Sequence, residues 1–446
     1  MPSSSSSSSA VQLSRQNLPS ITHPDVTKPS YDPASITNTV LHIGPGNFHK
    51  CHQSFYTDLA NEKSSSPDNW GIFGVGFRSR NNDLTDQDNL YTLVQASKSD
   101  TSARIVQSFV GFGLLKEDAE KIIEVGAKES TRILSMTVTE KGYSQNAEGG
   151  LDLENDDVKH DIERQDEPRT AMGLVAAVLR KRMETGAGKI TVMSCDNLQH
   201  NGDTIRDLTF EIAGEISADL KTWIKQNVTF PNSMVDRIAP GSTEDDIAKL
   251  AEDFGIKDEK MVKTEDFHQW VLEDNFAAGR PAWESAGAIF TSNVSAYEQM
   301  KLRLLNGGHS SLCYFGYLTG HRHVDLAMSD PAIARFVKAY LAEALPTVPS
   351  VDIDLDNYTN QLLDRFENPA VRDKLTRIAL DGSKKLREFL IPTVTDLQRE
   401  TKGYDACVLV LASWARFARG MDEEGEEIEY EDGRKEEVER EAKKIG

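Results

Sequence analysis

The chain has 446 residues, of which 38% are hydrophobic and 27% charged, a composition typical of a soluble globular protein with more than one domain. Its formal net charge of −21 argues against nucleic acids and anionic membranes as partners, because both are polyanions. Cys51, Cys195, Cys313 and Cys407 form no CxxC pair. This spacing argues against a disulfide framework or a zinc ribbon and favours a reducing compartment.

The N-terminal segment, residues 1–37, is rich in Ser, Pro and Thr and begins with MPSSSSSSSA. The serine tract lacks the apolar stretch of a signal peptide, so we predict a disordered tail over 1–37. No apolar run approaches the length of a membrane span. The cytoplasm is therefore the expected location.

Residues 38–292 alternate short apolar runs with helical patterns. We predict strands at Thr39–Ile43, Trp70–Phe77, Leu90–Gln95, Arg104–Val110, Arg132–Val138 and Lys189–Ser194. Helical spacing follows the first run at His52–Leu59 and precedes the last at Ala171–Met183. Strands that alternate with helices predict a mostly parallel sheet in this first domain.

Residues 293–446 carry helical spacing without a comparable strand pattern, which predicts a second, mainly α-helical domain. The expected helices are Tyr297–Leu318, Pro331–Leu345, Asn357–Phe366, Ala370–Leu380 and Cys407–Arg419. The acidic stretch Met421–Gly446 is interpreted as a solvated helix or a frayed tail.

The segment Ile43-Gly44-Pro45-Gly46-Asn47-Phe48 connects the first strand to a helix. Its glycines match the first two positions of the dinucleotide-binding fingerprint, and His49 occupies the third. In that motif the first glycine makes a tight turn, the second lets the pyrophosphate approach the backbone, and the helix N-terminus offers free N–H groups. An ordinary βα turn gives the same pattern, but the position between the first two strands favours a dinucleotide site.

The end of the second strand is where a dinucleotide domain tests the ribose 2′ position. An acid there accepts a hydrogen bond from the NAD hydroxyl, whereas an arginine accommodates the NADP phosphate. This chain has Arg78 and Arg80 at that point, and its first acid is Asp83. The two arginines favour NADP, unless they simply point into solvent.

A second group of chemically suggestive residues is Lys301, Asn306 and His309. On a regular helix Asn306 lies ~140° and His309 ~80° from Lys301, so all three fit one broad face. Oxidation of a secondary alcohol needs a base, which a lysine becomes when burial and positive surroundings lower its pKa. Carboxamides such as Asn197, at the end of the last predicted strand, can steady the reacting oxygen. Taken alone, a solvated lysine and a packed histidine are the commoner explanations.

An ordered series of motifs from about residue 38 to 420 resembles the polyol-specific long-chain dehydrogenase/reductase family. The matching stretches are HIGPGNFHKCHQSFYTDL, WGIFGVGF, QDNLYTL, TVTEKGY, SCDNLQHNGD, FPNSMVDRI, VLEDNF, KLRLLNGGHS, NPAVRDKLTRIALDGSKK and FLIPTV. The resemblance implies a Rossmann-type domain followed by a helical domain, with the active site between them. It also implies NAD as cofactor, no metal, and a monomer.

The family motifs also imply roles for individual residues. Lys301 is the general base, and Asn197 and Asn306 polarise the reacting oxygen. The implied substrate contacts are Asp236, His309, Arg377 and Lys385. The implied cofactor contacts are Ile43, Gly44, Pro45, Gly46, Asn47, Phe48, Arg78 and Glu140.

The leading expectation is reversible oxidation of D-mannitol to D-fructose by hydride transfer to NAD or NADP. A hexuronate reductase or an arabinitol-type dehydrogenase of the same family is an alternative. A non-catalytic dinucleotide sensor is the rival from another class, but it would not need Lys301, Asn197 and Asn306 together. Two departures stand out: the segment after residue 77 is shortened, so the family's discriminating acid has no counterpart, and the region after residue 394 is compressed.

Overall fold

A computed structural model describes residues 10–63 and 69–444. It divides into two compact units, each treated by itself below. Unit 1 takes the chain up to Ala96 together with Thr101–Val294, and unit 2 takes Ser97–Asp100 together with residues from Ser295 onward. The division after Val294 lies close to the sequence-based boundary at residue 292.

Unit 1 contains all the strands of the described residues. In chain order they are β1 (Val11–Gln12), β2 (Val26–Thr27), β3 (Ile36–Ile43), β4 (Asn69–Gly76), β5 (Tyr91–Ala96), β6 (Thr101–Val106), β7 (Phe109–Leu114), β8 (Thr131–Met136), β9 (Ile190–Ser194), β10 (Val228–Thr229), β11 (Ser233–Asp236), β12 (Ile256–Lys257), β13 (Val262–Glu265), β14 (Gln269–Leu272) and β15 (Ile289–Phe290). Its helices are α1 (Asn47–His49), α2 (Phe55–Lys63), α3 (Leu115–Gly126), α4 (Asp156–Glu163), α5 (Ala171–Thr185), α6 (Asn201–Ile216), α7 (Ala218–Asn227) and α8 (Glu244–Phe254). A π turn, Lys50–Ser54, joins α1 to α2.

The central sheet of unit 1 has the order β10-β9-β8-β3-β4-β7 within the described residues, and every neighbouring pair is parallel. The chain starts at β3, adds β4 and β7 on one side, and then adds β8, β9 and β10 on the other. This is the doubly wound arrangement in which ligands bind outside the carboxyl ends, where the strand order reverses. The reversal lies between β3 and β8. The Rossmann-type prediction is confirmed.

Neighbouring residues of the central strands bury opposite faces of the sheet. Val40 of β3 lies level with Ile72 and Ile133 and packs in a core that also contains Trp270 and Trp283. The next residue, Leu41, faces a second core built largely from helices α3, α5 and α6. Because both faces are covered, the strands are almost continuously apolar, which made them recognisable in the sequence.

The N-terminal segment corrects the prediction of a disordered tail over 1–37. From residue 10 onward it is folded: β1 pairs with β12 and β2 pairs with β6. Leu13 and Ile21 are buried. Isolated apolar residues in a Ser- and Pro-rich stretch give no periodic signal, and their partners lie far away in the sequence. The serine tract itself, residues 1–9, lies outside the described residues.

The run Arg104–Val110 was also wrongly interpreted, because it spans two strands in different sheets. β6 is antiparallel to β5, whereas β7 is the edge strand of the parallel sheet beside β4. Gln107 and Ser108 separate the two strands, and Ser108 donates a hydrogen bond to the carbonyl of Ser54 at 3.1 Å. Polar residues that are paired in the interior do not interrupt an apolar run clearly enough to reveal a turn.

Unit 2 is helical. Its helices are α9 (Val294–Lys301), α10 (Gly307–Leu318), α11 (Val324–Met328), α12 (Pro331–Ala344), α13 (Leu355–Phe366), α14 (Leu375–Ala379), α15 (Gly382–Lys385), α16 (Ile391–Arg399), α17 (Asp405–Phe417) and α18 (Lys435–Ala442). Two π turns, Leu302–Asn306 and Leu386–Leu390, connect α9 to α10 and α15 to α16. Across residues 295–444 the strand content is limited to isolated bridges. Nowhere in the described chain is a helix both long and apolar enough to span a bilayer.

Two helical predictions in this unit need correction. The expected helix Ala370–Leu380 shortens to α14, because residues 370–374 form a turn and irregular structure in which Arg372 has a positive φ of 45°. The C-terminal stretch is not simply solvated, since Ile428 and Tyr430 are buried and the Tyr430 ring lies 5.2 Å from that of Phe417. Acidic residues flank Ile428 and Tyr430 in the sequence, so these two buried residues produce no apolar pattern.

Candidate active site

The dinucleotide loop follows Ile43 at the carboxyl end of β3. Gly44 has a φ of +83°, and a Cβ there would overlap the carbonyl oxygen of Thr137, which follows β8. Only glycine fits this turn, because the loop is pressed against the neighbouring strand end. Gly46 has an ordinary φ of −76°, and the nearest heavy atom to a Cβ there would be 4.0 Å away. The protein itself does not require glycine at position 46, which leaves room for a ligand to approach the backbone.

The rest of the predicted cofactor loop enters the helix that begins after Gly46. Pro45 packs over Gly74 of β4, and Phe48 stacks on His52 with ring centres 5.0 Å apart. Asn47 is the first residue of α1, so its N–H and the next ones have no partner within the helix. The loop therefore presents free backbone donors and the positive end of a helix dipole.

A largely buried polar network holds the carbonyl of Gly44 in this loop. The Nε2 of His42 lies 2.9 Å from Thr137 Oγ1, and that hydroxyl donates to the carbonyl of Gly44 at 2.7 Å. Burial lowers the pKa of His42 to about 3, so its ring is neutral at physiological pH. His49, at the third fingerprint position, stacks on His42 with centroids 3.4 Å apart. His49 thus packs the loop from within the fold.

The end of β4 separates the two arginines that the sequence grouped together. Arg80 is paired with three carboxylates: Asp83 at 3.1 Å, Glu117 at 3.1 Å and Asp118 at 2.7 Å. Arg78 is exposed and makes no ion pair with a described residue. The expectation that both arginines serve a 2′-phosphate does not fit Arg80, because its charge is already more than balanced.

The loops after β8 and β9 lie on the other side of the point where the strand order reverses. Glu140 begins a 3-10 turn, Glu140–Tyr143, and is exposed. Asn197 is also exposed and follows the buried Asp196. The Asp196 carboxylate accepts hydrogen bonds from the backbone N–H of Val138 and Thr139, at 3.0 and 2.9 Å. Unit 1 therefore holds Asn197, Glu140 and the glycine loop at one edge of its sheet.

In unit 2, Lys301 is the last residue of α9, and its side chain is buried. Asn306 closes the π turn that follows and is half-buried, and His309 packs against Phe366 with ring centres 4.5 Å apart. The regular-helix angles do not apply here. A π turn is bonded from residue i to i+5, so Asn306 comes closer to the face of Lys301 than the ~140° of an α-helix.

Packing after the π turn requires glycine at position 307 and favours it at position 308. A Cβ on Gly307 would overlap the Tyr340 hydroxyl, which donates to the carbonyl of Arg303 at 2.9 Å. A Cβ on Gly308 would lie 3.1 Å from the Phe366 ring. The buried neighbours therefore hold the segment in one position.

The remaining implied substrate residues are placed in different surroundings. Asp236 ends β11 in unit 1 and is buried. Arg377 lies on α14, where hydrogen bonds to Asp373 raise its pKa. The Nζ of Lys385 donates to the carbonyl of Ile378 at 3.1 Å, and burial lowers the pKa of this lysine. Helix α14 packs against α10, so within unit 2 Arg377 and His309 lie on neighbouring elements.

Comparison with known proteins shows similarity along almost the whole chain. A family model of the mannitol dehydrogenase Rossmann domain matches residues 38–285, and one of the mannitol dehydrogenase C-terminal domain matches residues 293–445. The chain belongs to the mannitol dehydrogenase family.

Individual members of the mannitol dehydrogenase family agree with this assignment. Mannitol 2-dehydrogenase of Phaeosphaeria nodorum is 37% identical over 97% of this chain and 77% of its own length. D-mannonate oxidoreductase of Escherichia coli is 37% identical over 91% of this chain and 85% of its own length. The structure of Pseudomonas fluorescens mannitol 2-dehydrogenase in complex with NAD and D-mannitol matches with a TM-score of 0.84 at 38% identity. That match covers 96% of this chain and 89% of the other.

Sequence reasoning missed the parts that position the family residues. His42 and Asp196 are buried and Thr137 is half-buried. All three are polar residues within or beside apolar strands, and such residues carry no spacing signal. The π turns were missed as well, although the pair Gly307-Gly308 marked an irregular helix. In the described chain, no group of three or more His, Cys, Asp or Glu side chains is arranged to hold a metal ion.

Proposed function

We propose that this protein is an NAD-dependent mannitol 2-dehydrogenase that reversibly oxidises D-mannitol to D-fructose. The observation that carries the proposal is the likeness, over 96% of the chain, to a mannitol 2-dehydrogenase whose structure contains NAD and D-mannitol. The residues that this chemistry needs are all present, including Lys301, Asn197 and Asn306.

The glycine loop fits a dinucleotide. Gly46 has space that the protein does not fill, and the N-terminus of α1 offers unpaired N–H groups beside it. We assign the pyrophosphate contacts to Gly44, Pro45, Gly46, Asn47 and Phe48. Ile43, Arg78 and Glu140 are assigned to the remainder of the cofactor. When bound, NAD supplies the acceptor for the hydride.

The protein residues handle the proton and the reacting oxygen. Lys301 takes the hydroxyl proton onto Nζ, and the carboxamides of Asn197 and Asn306 donate hydrogen bonds to the oxygen as it becomes a carbonyl. Asp236, His309 and Lys385 are assigned to the other substrate groups. In the reverse direction Lys301 returns the proton. These steps use no metal ion.

The surroundings of Arg80 support NAD over NADP. Three carboxylates lie within hydrogen-bonding distance of its guanidinium, so the group carries a net negative charge. A 2′-phosphate would be repelled by this charge, whereas a ribose hydroxyl would not. Of the two arginines at this strand end, Arg80 is paired with carboxylates, whereas Arg78 is exposed and makes no ion pair with a described residue.

A hexuronate reductase is the second candidate, because D-mannonate oxidoreductase is as similar to this chain as the fungal mannitol 2-dehydrogenase. A carboxylate substrate needs a cation that is available to it. The guanidinium of Arg377 already forms two hydrogen bonds to the carboxylate of Asp373. This engagement favours a neutral polyol.

The deciding experiment compares D-mannitol, D-sorbitol, D-arabinitol and D-mannonate as substrates, each with NAD and NADP. We expect the highest kcat/KM with D-mannitol and NAD. A preference for D-mannonate would establish the second candidate. Turnover with none of the four, despite NADH binding, would contradict polyol oxidation and favour a dinucleotide sensor.

The role of the base is tested with Lys301→Ala and the control Lys338→Ala, an exposed lysine on α12. We expect turnover at neutral pH to collapse in Lys301→Ala, by about a hundredfold or more, with NADH affinity retained. Near-normal activity would show that another group is the base. Prolonged treatment with a chelator is expected to leave activity unchanged. Loss of activity that zinc restores would contradict the metal-independent mechanism.

A further inference from the structure

The loop after β8 contains an unusual backbone conformation at Thr139. Its φ of 63° and ψ of 167° fall in a region that is almost exclusive to glycine. A β-branched residue adopts this conformation only where surrounding contacts hold it there. The contacts of Thr139 therefore indicate the role of this conformation.

The carboxylate of Asp196 provides the contacts that hold this backbone. It accepts the N–H of Thr139 at 2.9 Å, the N–H of Val138 at 3.0 Å and the hydroxyl of Tyr143 at 2.8 Å. Only 8% of Asp196 is exposed. All three neighbours are donors, so the site suits a carboxylate, which only accepts, and not a carboxamide, which must point its NH2 at a donor.

Asp196 also ties this loop to the next strand of the sheet. The preceding residue, Cys195, donates its N–H to the carbonyl of Met136 at 2.9 Å. The following residue is Asn197, which we assign to the reacting oxygen. One carboxylate therefore connects the end of β8 with the segment that carries Asn197.

The held loop is in direct contact with the dinucleotide loop. Thr137 donates its hydroxyl to the carbonyl of Gly44 at 2.7 Å, and its N–H to the carbonyl of Ile43 at 2.9 Å. A shift of residues 137–139 would move the carbonyl against which Gly44 is packed. The position of the glycine turn thus depends on the conformation of the loop beside it.

We propose that Asp196 is a positioning residue, which holds the backbone of Val138 and the strained conformation of Thr139 and thereby aligns the dinucleotide loop with Asn197. The inference rests on the proposed function in one respect, since it takes NAD as the ligand of the loop. Asp196 is assigned no contact with substrate or cofactor. It acts through the backbone of the neighbouring loop.

The test is a double-mutant cycle with Asp196→Asn and Thr139→Gly, with NADH affinity measured by fluorescence titration. Asp196→Asn is expected to raise the Kd of NADH about tenfold, because charge-assisted hydrogen bonds to the loop are lost. Glycine adopts the conformation without help, so with glycine at position 139 the same substitution should raise the Kd only about threefold.

A matched control separates positioning from a general loss of stability. Asp258 is also a buried carboxylate, and it accepts two backbone N–H groups, those of Thr92 at 2.6 Å and Lys260 at 2.8 Å. Asp258→Asn should lower the Tm while leaving the Kd of NADH within about twofold of wild type. If Asp196→Asn behaves in the same way, Asp196 is only structural and the proposal is overturned.

Thr139→Gly alone tests the strain even if Asp196→Asn does not fold. Removing the side chain relieves the backbone by more than the added freedom of glycine in the unfolded chain costs, so the Tm should rise by about 1–2 °C. A fall in Tm would overturn the proposal, because the conformation would then not be strained. An equal effect of Asp196→Asn on the Kd with threonine or glycine at position 139 would overturn it as well. Failure of the wild-type protein to bind NADH would instead contradict the proposed function.

Discussion

The two glycines of the dinucleotide loop are expected to fail in different ways when each is replaced by alanine. Gly44 has a φ of +83° and no space for a side chain, whereas Gly46 has a φ of −76° and open space. Gly44→Ala should therefore damage the fold itself. Gly46→Ala should damage only the binding of a ligand that approaches the backbone.

The structure sets the size of each effect. An alanine at position 44 costs about 1–2 kcal/mol for the left-handed conformation alone. Its Cβ would also displace the Thr137 carbonyl, which is fixed by neighbouring hydrogen bonds, so the total loss in unfolding free energy should reach about 3–5 kcal/mol. At position 46 alanine adds no clash and restricts the unfolded chain, so stability should rise by about 0.4–1 kcal/mol.

The assay pairs thermal unfolding with NADH titration for both variants. Gly44→Ala is expected to lower the Tm clearly, and Gly46→Ala to raise it slightly while weakening NADH binding by about tenfold or more. Normal NADH affinity in Gly46→Ala would contradict the assignment of the loop, because the pyrophosphate would then not approach this backbone. An unchanged Tm in Gly44→Ala would refute the steric argument.

Three further predictions concern other parts of the chain. Burial raises the pKa of Asp58 to about 6 from 3.8, so the folded state binds this proton more tightly than the unfolded chain. The contribution of Asp58 to the unfolding free energy should fall by about 3 kcal/mol as pH rises through this window, so denaturation at several pH values should show wild type losing that much stability relative to Asp58→Asn. Gly307→Ala should destabilise unit 2 by about 2–4 kcal/mol in the same assay, with partial recovery in the double variant with Tyr340→Phe, which removes the obstructing hydroxyl. Leu13→Ala should cost about 2–4 kcal/mol if residues 10–37 are part of the fold, whereas a disordered tail would show no change in Tm.

The sequence was informative where burial produces a pattern. Strands β3, β4, β8 and β9 are covered on both faces, so each is an apolar run that ends in glycine or polar residues. Segments stabilised by a few isolated contacts gave no such pattern. Leu13 and Ile428 are both buried, but their neighbours in the sequence are mostly polar, so the patterns predict a disordered tail and a solvated or frayed end.

For the candidate site, the sequence predicted which residues take part but not the hydrogen bonds that hold them in place. Lys301, Asn306 and Asn197 are singled out by their spacing and chemistry, the family motifs imply their roles, and those roles stay predictions. Asp196 lies inside the same SCDN motif, yet its contacts with Val138 and Thr139 bridge more than fifty positions. Such contacts depend on which strands are neighbours in the sheet, and sequence periodicity does not encode that order.

The π turn Leu302–Asn306 makes the placement of α10 relative to Lys301 depend on the length of its segment. It accommodates one residue more than an α turn, so deleting a single residue there would restore a regular helix. Every later side chain of α10, His309 included, would then rotate by about 100° relative to Lys301. Substitutions in this helix would change the chemistry of one position, whereas a one-residue deletion would change which side chains share a face. Members of the family that differ here by a gap should therefore differ in the geometry of their sites, however similar the flanking residues are.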